Sequence, residues 1–240
     1  MRIIVLGSPR SKSNWAVSTI GAFYQIPNLY EPYRPMFDQL KLGQKNDLLS
    51  SDQLAPDSSL VNAITDKTSE LSLTSGVLKL EVTHLTPRPW SVKLLDLELF
   101  KLHTYDMVFT TERANIVDMV CSHRVAMEYD RWIFSGDNTP PEITESLFFD
   151  PADRLTQITL NSCIWDTLVL AKAKEWITDK NIKFTPLFYE TMQEVWPNTT
   201  QTQWHKTNYN YSHIFTNYDH VESIIENYKP KVSAFFTQIN

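Results

Sequence analysis

Arg10, Lys12 and the hydroxyls of Ser8, Ser11 and Ser13 crowd into one short segment directly after the apolar run Ile3-Ile4-Val5-Leu6, which ends at Gly7. Full positive charges interleaved with hydroxyl donors are chemistry for holding an oxyanion. A helix-compatible stretch opens at Asn14 and Trp15, so the order is strand, turn, helix start. Unpaired N–H groups at a helix N-terminus carry partial positive charge, which favours a phosphate or sulfate at that turn. Gly7, one of five glycines in the chain, is expected to let the backbone approach the ligand closely. Trp15 suits either of two places, stacked on a base or filling the core beneath the turn.

A second group lies in Tyr105–Ser122. The strand-like run Met107-Val108-Phe109-Thr110 leads into Glu112-Arg113, and a helix-like segment then carries Ser122. Ligands of open α/β sheets collect at the C-terminal ends of strands, which is where this spacing puts Arg113. Ser122 falls about two and a half turns along the following helix. A third group follows the run Val77–Val82, which ends in Thr83-His84-Leu85. An alcohol or amine that attacks an electrophile must lose a proton, and a base with pKa near neutrality serves best, so His84 is a candidate general base. Glu31, in Leu29-Tyr30-Glu31-Pro32-Tyr33, competes for that role, with His103 and His205 behind it. Lys206, in Trp204-His205-Lys206-Thr207, is a further candidate phosphate contact. Tyr189-Glu190 reads as charge placed in the first turn of a helix.

These residues need a scaffold that brings strand ends together. Five β-type runs, Arg2–Leu6, Leu29–Tyr30, Val77–Val82, Met107–Thr110 and Lys183–Phe188, are separated by helical stretches near 14–25, 56–73, 91–103, 114–131, 151–180, 189–195 and 219–238. Strands alternating with helices predict an α/β fold, three-layered, with a central, mostly parallel sheet and helices on both faces. Asp150 before Pro151 reads as a helix start, and Leu155, Ile158, Trp165 and Leu168 recur at helical spacing. The Pro-rich stretch Pro27–Pro35 reads as a loop, and 196–217 as a long aperiodic one. The whole chain, 1–240, reads as one domain.

Composition narrows the functions. A net charge of −6 argues against general nucleic-acid binding, which needs a basic face. Cys121 and Cys163 sit in apolar, helix-like contexts and read as buried free thiols of a reducing compartment. No Cys/His spacing suits a metal. The start reads as a core strand, not a leader, and no apolar run is long enough to span a membrane. The expectation is a cytoplasmic protein without nucleic-acid or membrane partners, its oligomeric state unreadable.

The motifs carry a resemblance. Gly7-Ser8-Pro9-Arg10-Ser11-Lys12-Ser13-Asn14-Trp15 resembles the 5′-phosphosulfate loop of the sulfotransferases, roughly G-x-P-[RK]-[ST]-G-[ST]-x-W, with Lys12 standing where that family has glycine. A Walker A loop fits less well, because its second glycine is missing. Arg113-Ala114-Asn115, followed by Ser122, resembles the R-x-N-x-x-x-x-x-x-S form of bacterial and phage-type sulfotransferases, whose arginine and serine read the cofactor's 3′-phosphate. Thr83-His84-Leu85 is similar to the T-H-L-P segment of the cytosolic members, with Thr86 inserted before Pro87.

The resemblance implies a P-loop-like fold and a transferase of the sulfuryl group from 3′-phosphoadenosine 5′-phosphosulfate (PAPS) to a hydroxyl or amine. It implies that Gly7 through Trp15, Arg113, Ser122 and Lys206 bind the cofactor. Arg10 and Lys12 would also stabilise the leaving phosphate, and His84 or Glu31 would take the acceptor's proton. No metal is implied. A nucleoside-triphosphate enzyme would carry an acid at a strand end for Mg²⁺, whereas Thr110 and Thr111 occupy that end with Glu112 outside it. Two alternatives stay open. One is a P-loop nucleotide or small-molecule kinase; the other is an inactive nucleotide-binding protein, for which Lys12 at a position suited to positive φ is the best argument. The acceptor is expected to be a small molecule or glycan.

Overall fold

Residues Ile3 to Leu6 are apolar on both sides of the strand, the pattern of a strand covered on both faces. They form the central strand β1 (Arg2–Gly7) of a five-stranded, all-parallel sheet ordered β2-β3-β1-β4-β5. The other strands are β2 (Asn28–Tyr30), β3 (Gly76–Glu81), β4 (Met107–Glu112) and β5 (Phe184–Phe188). The helices are α1 (Ser13–Tyr24), α2 (Arg34–Gln39), α3 (Ser58–Leu71), α4 (Ile116–Glu128), α5 (Arg154–Asp179), α6 (Met192–Val195), α7 (Tyr211–Ile214) and α8 (Tyr218–Ile239). This computed structural model describes residues 1–8, 10–11, 13–39, 58–85, 95–129, 143, 145–195 and 209–239.

Alternation along β1 divides the core. Ile3 and Val5 pack with Trp15, Ala16, Val17 and Ile20 of α1, together with Phe109 and Met192. Ile4 and Leu6 face the opposite way, into the larger core with α3, α4, α5 and α8. Helices therefore cover both faces, as the alternation of strands and helices predicts. The chain leaves β1 toward one face and β4 toward the other, so its direction switches between these strands, beyond Gly7 and Glu112. Such a switch of direction is where ligands of open parallel sheets bind. Among the described residues no helix is long and apolar enough to cross a membrane.

Several boundaries differ from the sequence expectation. The stretch predicted as a helix over 91–103 forms, in its described part, the 3-10 turns Leu97–Phe100 and Leu102–Thr104, with Lys101 between them at φ 46°. Pro27–Pro35 does not stay a loop: β2 forms within it and α2 begins at Arg34, with Pro35 in the first turn, where its missing N–H costs nothing. The long helix α5 starts at Arg154, not at Pro151. Asp153 is its cap, accepting from the Thr156 N–H at 2.9 Å, while Asp150 closes a turn upstream. Within the expected 196–217 loop, residues 211–214 form α7. Strand β3 stops at Glu81, and His84 sits in a 3-10 turn, Val82–His84, just beyond it.

Candidate functional site

Two groups of charged side chains lie at the C-terminal edge of the sheet, on either side of β1. The first begins with the turn after Gly7. Ser11 Oγ donates to the Ser8 carbonyl at 2.5 Å and hydrogen-bonds Thr111 Oγ1 at 2.8 Å, which pins the turn to β4. Ser8, Ser11 and Ser13 are all buried. A Cβ on Gly7 would meet Ser13 Cβ at 2.5 Å and Thr111 Oγ1 at 2.7 Å. The space beside Gly7 is thus filled by the protein's own side chains. Close packing of turn on strand accounts for the glycine. Trp15 is buried in the α1-side core, the core-filling one of its two readings.

Arg10 has φ 63°, a left-handed conformation unusual for a residue with a side chain. That backbone turns its guanidinium inward, and Nε donates to Ser122 Oγ at 2.9 Å across to α4. The two segments that the sequence reading connects with phosphate therefore meet. Arg113, between β4 and α4, has a side chain only 6% exposed. Its guanidinium lies 4.2 Å over the Tyr189 ring and reaches Asp118 at a loose 3.7 Å. Its Nε is buried and has no hydrogen-bond partner among the described residues. Burial lowers the Arg10 guanidinium from its ordinary value, Tyr211 opposes this, and repulsion from Arg113 adds to it. Tyr211 comes from α7, which a hydrogen bond from the Leu147 N–H to the Ile214 carbonyl at 2.7 Å holds in place.

The N-terminus of α4 is closed by the protein itself. Asn115 accepts from the Asp118 N–H at 3.0 Å, and the Glu190 carboxylate accepts from the Ala114 and Asn115 N–H groups, each at 3.2 Å. Glu190 is thus a helix-terminus charge, as its sequence position suggests, but for α4 and not for the helix that follows it. An acid does end β4: Glu112 lies within the strand, which corrects the expectation that it falls outside. Its carboxylate is taken by Lys174 Nζ at 2.9 and 3.0 Å and by the Thr110 hydroxyl at 3.0 Å.

The second group lies at the ends of β2 and β3. His84, 6% exposed, and Glu31, the two competing bases of the sequence reading, are neighbours. With Glu81 they present ligand-type atoms within 4.8 Å of one another. Between the carboxylates stands Lys79, on the α1-facing side of β3 and 1% exposed. Its Nζ donates to Asn14 Oδ1 at 2.5 Å and Glu81 Oε1 at 2.7 Å and contacts Glu31 Oε1. Arg34 reaches Glu31 from α2 at 3.5 Å. Burial raises the Glu81 carboxyl, but Lys79 and then His84 outweigh it, and the group sits below its ordinary value. Burial lowers His84 below its ordinary value of 6.5, so its imidazole is neutral at neutral pH. The His84 ring stacks on Phe37 of α2, centroids 4.7 Å apart and planes 2° from parallel.

Lys79 and Glu81 escaped the sequence reading. The signal was present: a buried parallel strand should be apolar throughout, and the run Val77-Leu78-Lys79-Leu80-Glu81-Val82 is interrupted twice by charge. Of the remaining candidates, His103 precedes β4 at the opposite edge of the sheet, half exposed beside Glu98 at 3.7 Å, and cannot share in this site. Pro9, Lys12, Trp204, His205 and Lys206 lie outside the described residues. Cys121 and Cys163 are free and buried, as expected, and burial pushes the Cys121 thiol up to about 12. Comparison with protein-family models and with curated proteins gives no match to this chain.

Proposed function

We propose that this protein is a sulfotransferase that uses PAPS and a small hydroxyl- or amine-bearing acceptor, on a fold of the P-loop-like type. The observation that carries the reading is the meeting of Arg10 and Ser122 beside Arg113, at the sheet edge where the buried His84 also follows β3. Two neighbouring guanidiniums, of which Arg113 has an acid only at 3.7 Å, favour an oxyanion, and the Arg113 Nε, without a partner among the described residues, offers it a donor. An adenosine bisphosphate fits this donor set.

In this reading Arg113, Ser122 and Arg10 hold a phosphate of the cofactor, and the turn after Gly7 binds the phosphosulfate. When bound, PAPS supplies an activated sulfuryl group whose leaving group is a phosphate. The rest is the chain's own work. The two arginines would stabilise negative charge, and their burial makes that interaction worth more than in solvent. His84 would accept the proton that the acceptor's hydroxyl or amine loses on attack. The sheet edge places both groups a strand apart, which is positioning catalysis of the kind that phosphoryl transfer also uses.

The Mg²⁺-dependent kinase is the second reading, because an acid does end β4. Lys174 and Thr110 already occupy the Glu112 carboxylate, which counts against its holding a cation. Calorimetric titration separates the two. Adenosine 3′,5′-bisphosphate is expected to bind at micromolar concentration and ATP with Mg²⁺ more weakly. Arg113→Ala should weaken bisphosphate binding by about 100-fold, the scale of losing one partner of a buried charge pair. Failure of the bisphosphate to bind defeats the proposal, and tight binding of ATP with Mg²⁺ alone moves the assignment to the kinase.

A further inference from the structure

Lys79 is a charged residue in the middle of a buried strand. Its ammonium has three donors, and three acceptors from different parts of the chain meet it. Asn14 belongs to the first turn of α1, directly behind the turn after Gly7. Glu31 follows β2, and Glu81 ends β3. Taking an ammonium out of water costs several kcal/mol unless it is fully paired. An apolar residue facing α1 would avoid that cost, so the charge is explained by what surrounds it. Without it, Glu31 and Glu81 would be two like charges beside one imidazole, and together they would hold a proton on it. With it, both carboxylates are engaged. His84 Nδ1, by contrast, is buried and has no hydrogen-bond partner among the described residues. The ammonium also stands against the carboxylates that a metal ion would need, so the cluster carries its own cation.

We propose that Lys79 is the positioning residue of this cluster. It engages Glu31 and Glu81 so that His84 is the group left to take the acceptor's proton, and its bond to Asn14 ties the carboxylate cluster to the first turn of α1, behind the turn after Gly7. The identity of the reaction rests on the transferase reading above; the charge arrangement does not. The charged groups facing His84 are Glu81 and Lys79 from β3, Glu31 from the segment after β2, and Arg34 from α2. The carboxylates favour the imidazolium, and Lys79 and Arg34 oppose it.

The test is an NMR titration of histidine ring nitrogens in the full chain without cofactor, with His84→Gln assigning the resonance. Lys79→Met should raise the His84 midpoint, because two carboxylates lose their counter-charge. Glu81→Gln should lower it, and this variant carries the test if Lys79→Met does not fold. Lys79→Arg should stay near the parent. With PAPS and an acceptor, Lys79→Met should move the acid limb of the kcat/KM profile to higher pH and lose about 100-fold, the scale of a misplaced catalytic group. Lys79→Arg should recover much of that loss, and His84→Gln should lose more than Glu31→Gln. The proposal falls if the His84 midpoint is the same in folded Lys79→Met and Glu81→Gln as in the parent, or if Glu31→Gln loses as much as His84→Gln. It falls as well if micromolar Zn²⁺ or Mn²⁺ shifts the His84 resonance of the parent chain, since a metal would then be the cation. If the titration behaves as stated but no bisphosphate binds, the transferase reading fails and Lys79 positions the base of another proton transfer.

Discussion

The two charged groups that flank β1 solve opposite problems. Around Lys79, one cation meets two carboxylates and an amide oxygen, and its three donors are used within the protein. Around Arg113, a buried guanidinium has a distant acid, an aromatic face and an Nε with no partner among the described residues. A charge cluster that completes itself is built to hold its members in place. A cationic cluster with spare donors is built to be completed by something else. The same sheet edge thus carries a lysine whose donors are all used on the β3 side and, on the β4 side, a buried guanidinium with an Nε left unused among the described residues.

If that contrast holds, the largest stability effect belongs to the completed side. Lys79→Met keeps the volume and removes the counter-charge of Glu31 and Glu81. Breaking a buried pair by deleting one partner costs about 3–5 kcal/mol. The carboxylates retain some solvent contact, with side chains 14% and 23% exposed, so the expectation lies near the lower end. Urea unfolding with unchanged slope is the measurement. A cost under about 1 kcal/mol, the range of an exposed pair, would make Lys79 ordinary. Next comes Gly7→Ala, at the strand that separates the two groups. Its Cβ would meet Ser13 and Thr111 within 2.7 Å, and overpacking of this kind costs about 1–3 kcal/mol. The melting temperature should fall without ligand present, because the clash is internal. A Gly7→Ala chain of normal stability that had lost only anion binding would favour the ligand-approach explanation.

The two sides also differed in how far the sequence revealed them. The β4 side was legible because its residues lie in short segments whose spacing is set by a helix: Arg113 before α4 and Ser122 within it need no tertiary information to be placed on one edge. Strand positions were legible for the same local reason, from apolar runs bounded by turn residues. The completed side assembles β2, β3, α1 and α2, and its centre is a lysine that alternation alone assigns to a face without naming a partner. His84 and Glu31 were each visible as separate candidates, but their adjacency follows from the pairing of β2 with β3, which no local pattern specifies. Helix ends show the same limit. Asp150-Pro151 and Asp153 both carry capping chemistry, and the path of the chain into α5 decides between them.

Acid should act mainly on the completed side. Because burial lowers His84 from 6.5, the unfolded chain binds its proton first, and stability declines as pH falls below 6.5 toward the folded-state value. Glu81 also sits below its ordinary 4.5, so its contribution is lost at pH values below that. Two successive declines should appear in stability against pH, and His84→Gln should remove the first. A single decline confined to the carboxylate range in the parent chain would mean that His84 titrates as it does in water.

The smallest effect should come from Arg113→Met, and its smallness is the point. The substitution gives up a cation–π contact, worth about 0.5–2 kcal/mol, and a loose ion pair of 3.7 Å. It also removes the desolvation of a guanidinium whose Nε has no partner among the described residues and relieves its repulsion of Arg10. These contributions oppose one another, so ligand-free stability should stay within about 1 kcal/mol of the parent, well short of Lys79→Met. The difference should appear on adding adenosine 3′,5′-bisphosphate. A ligand at a hundred times its dissociation constant stabilises the parent by about 2.7 kcal/mol, and the variant, lacking the donors, should gain almost none of it. A large loss of stability in ligand-free Arg113→Met would instead place Arg113 among the groups that the fold completes for itself, and the two sides of β1 would no longer differ in kind.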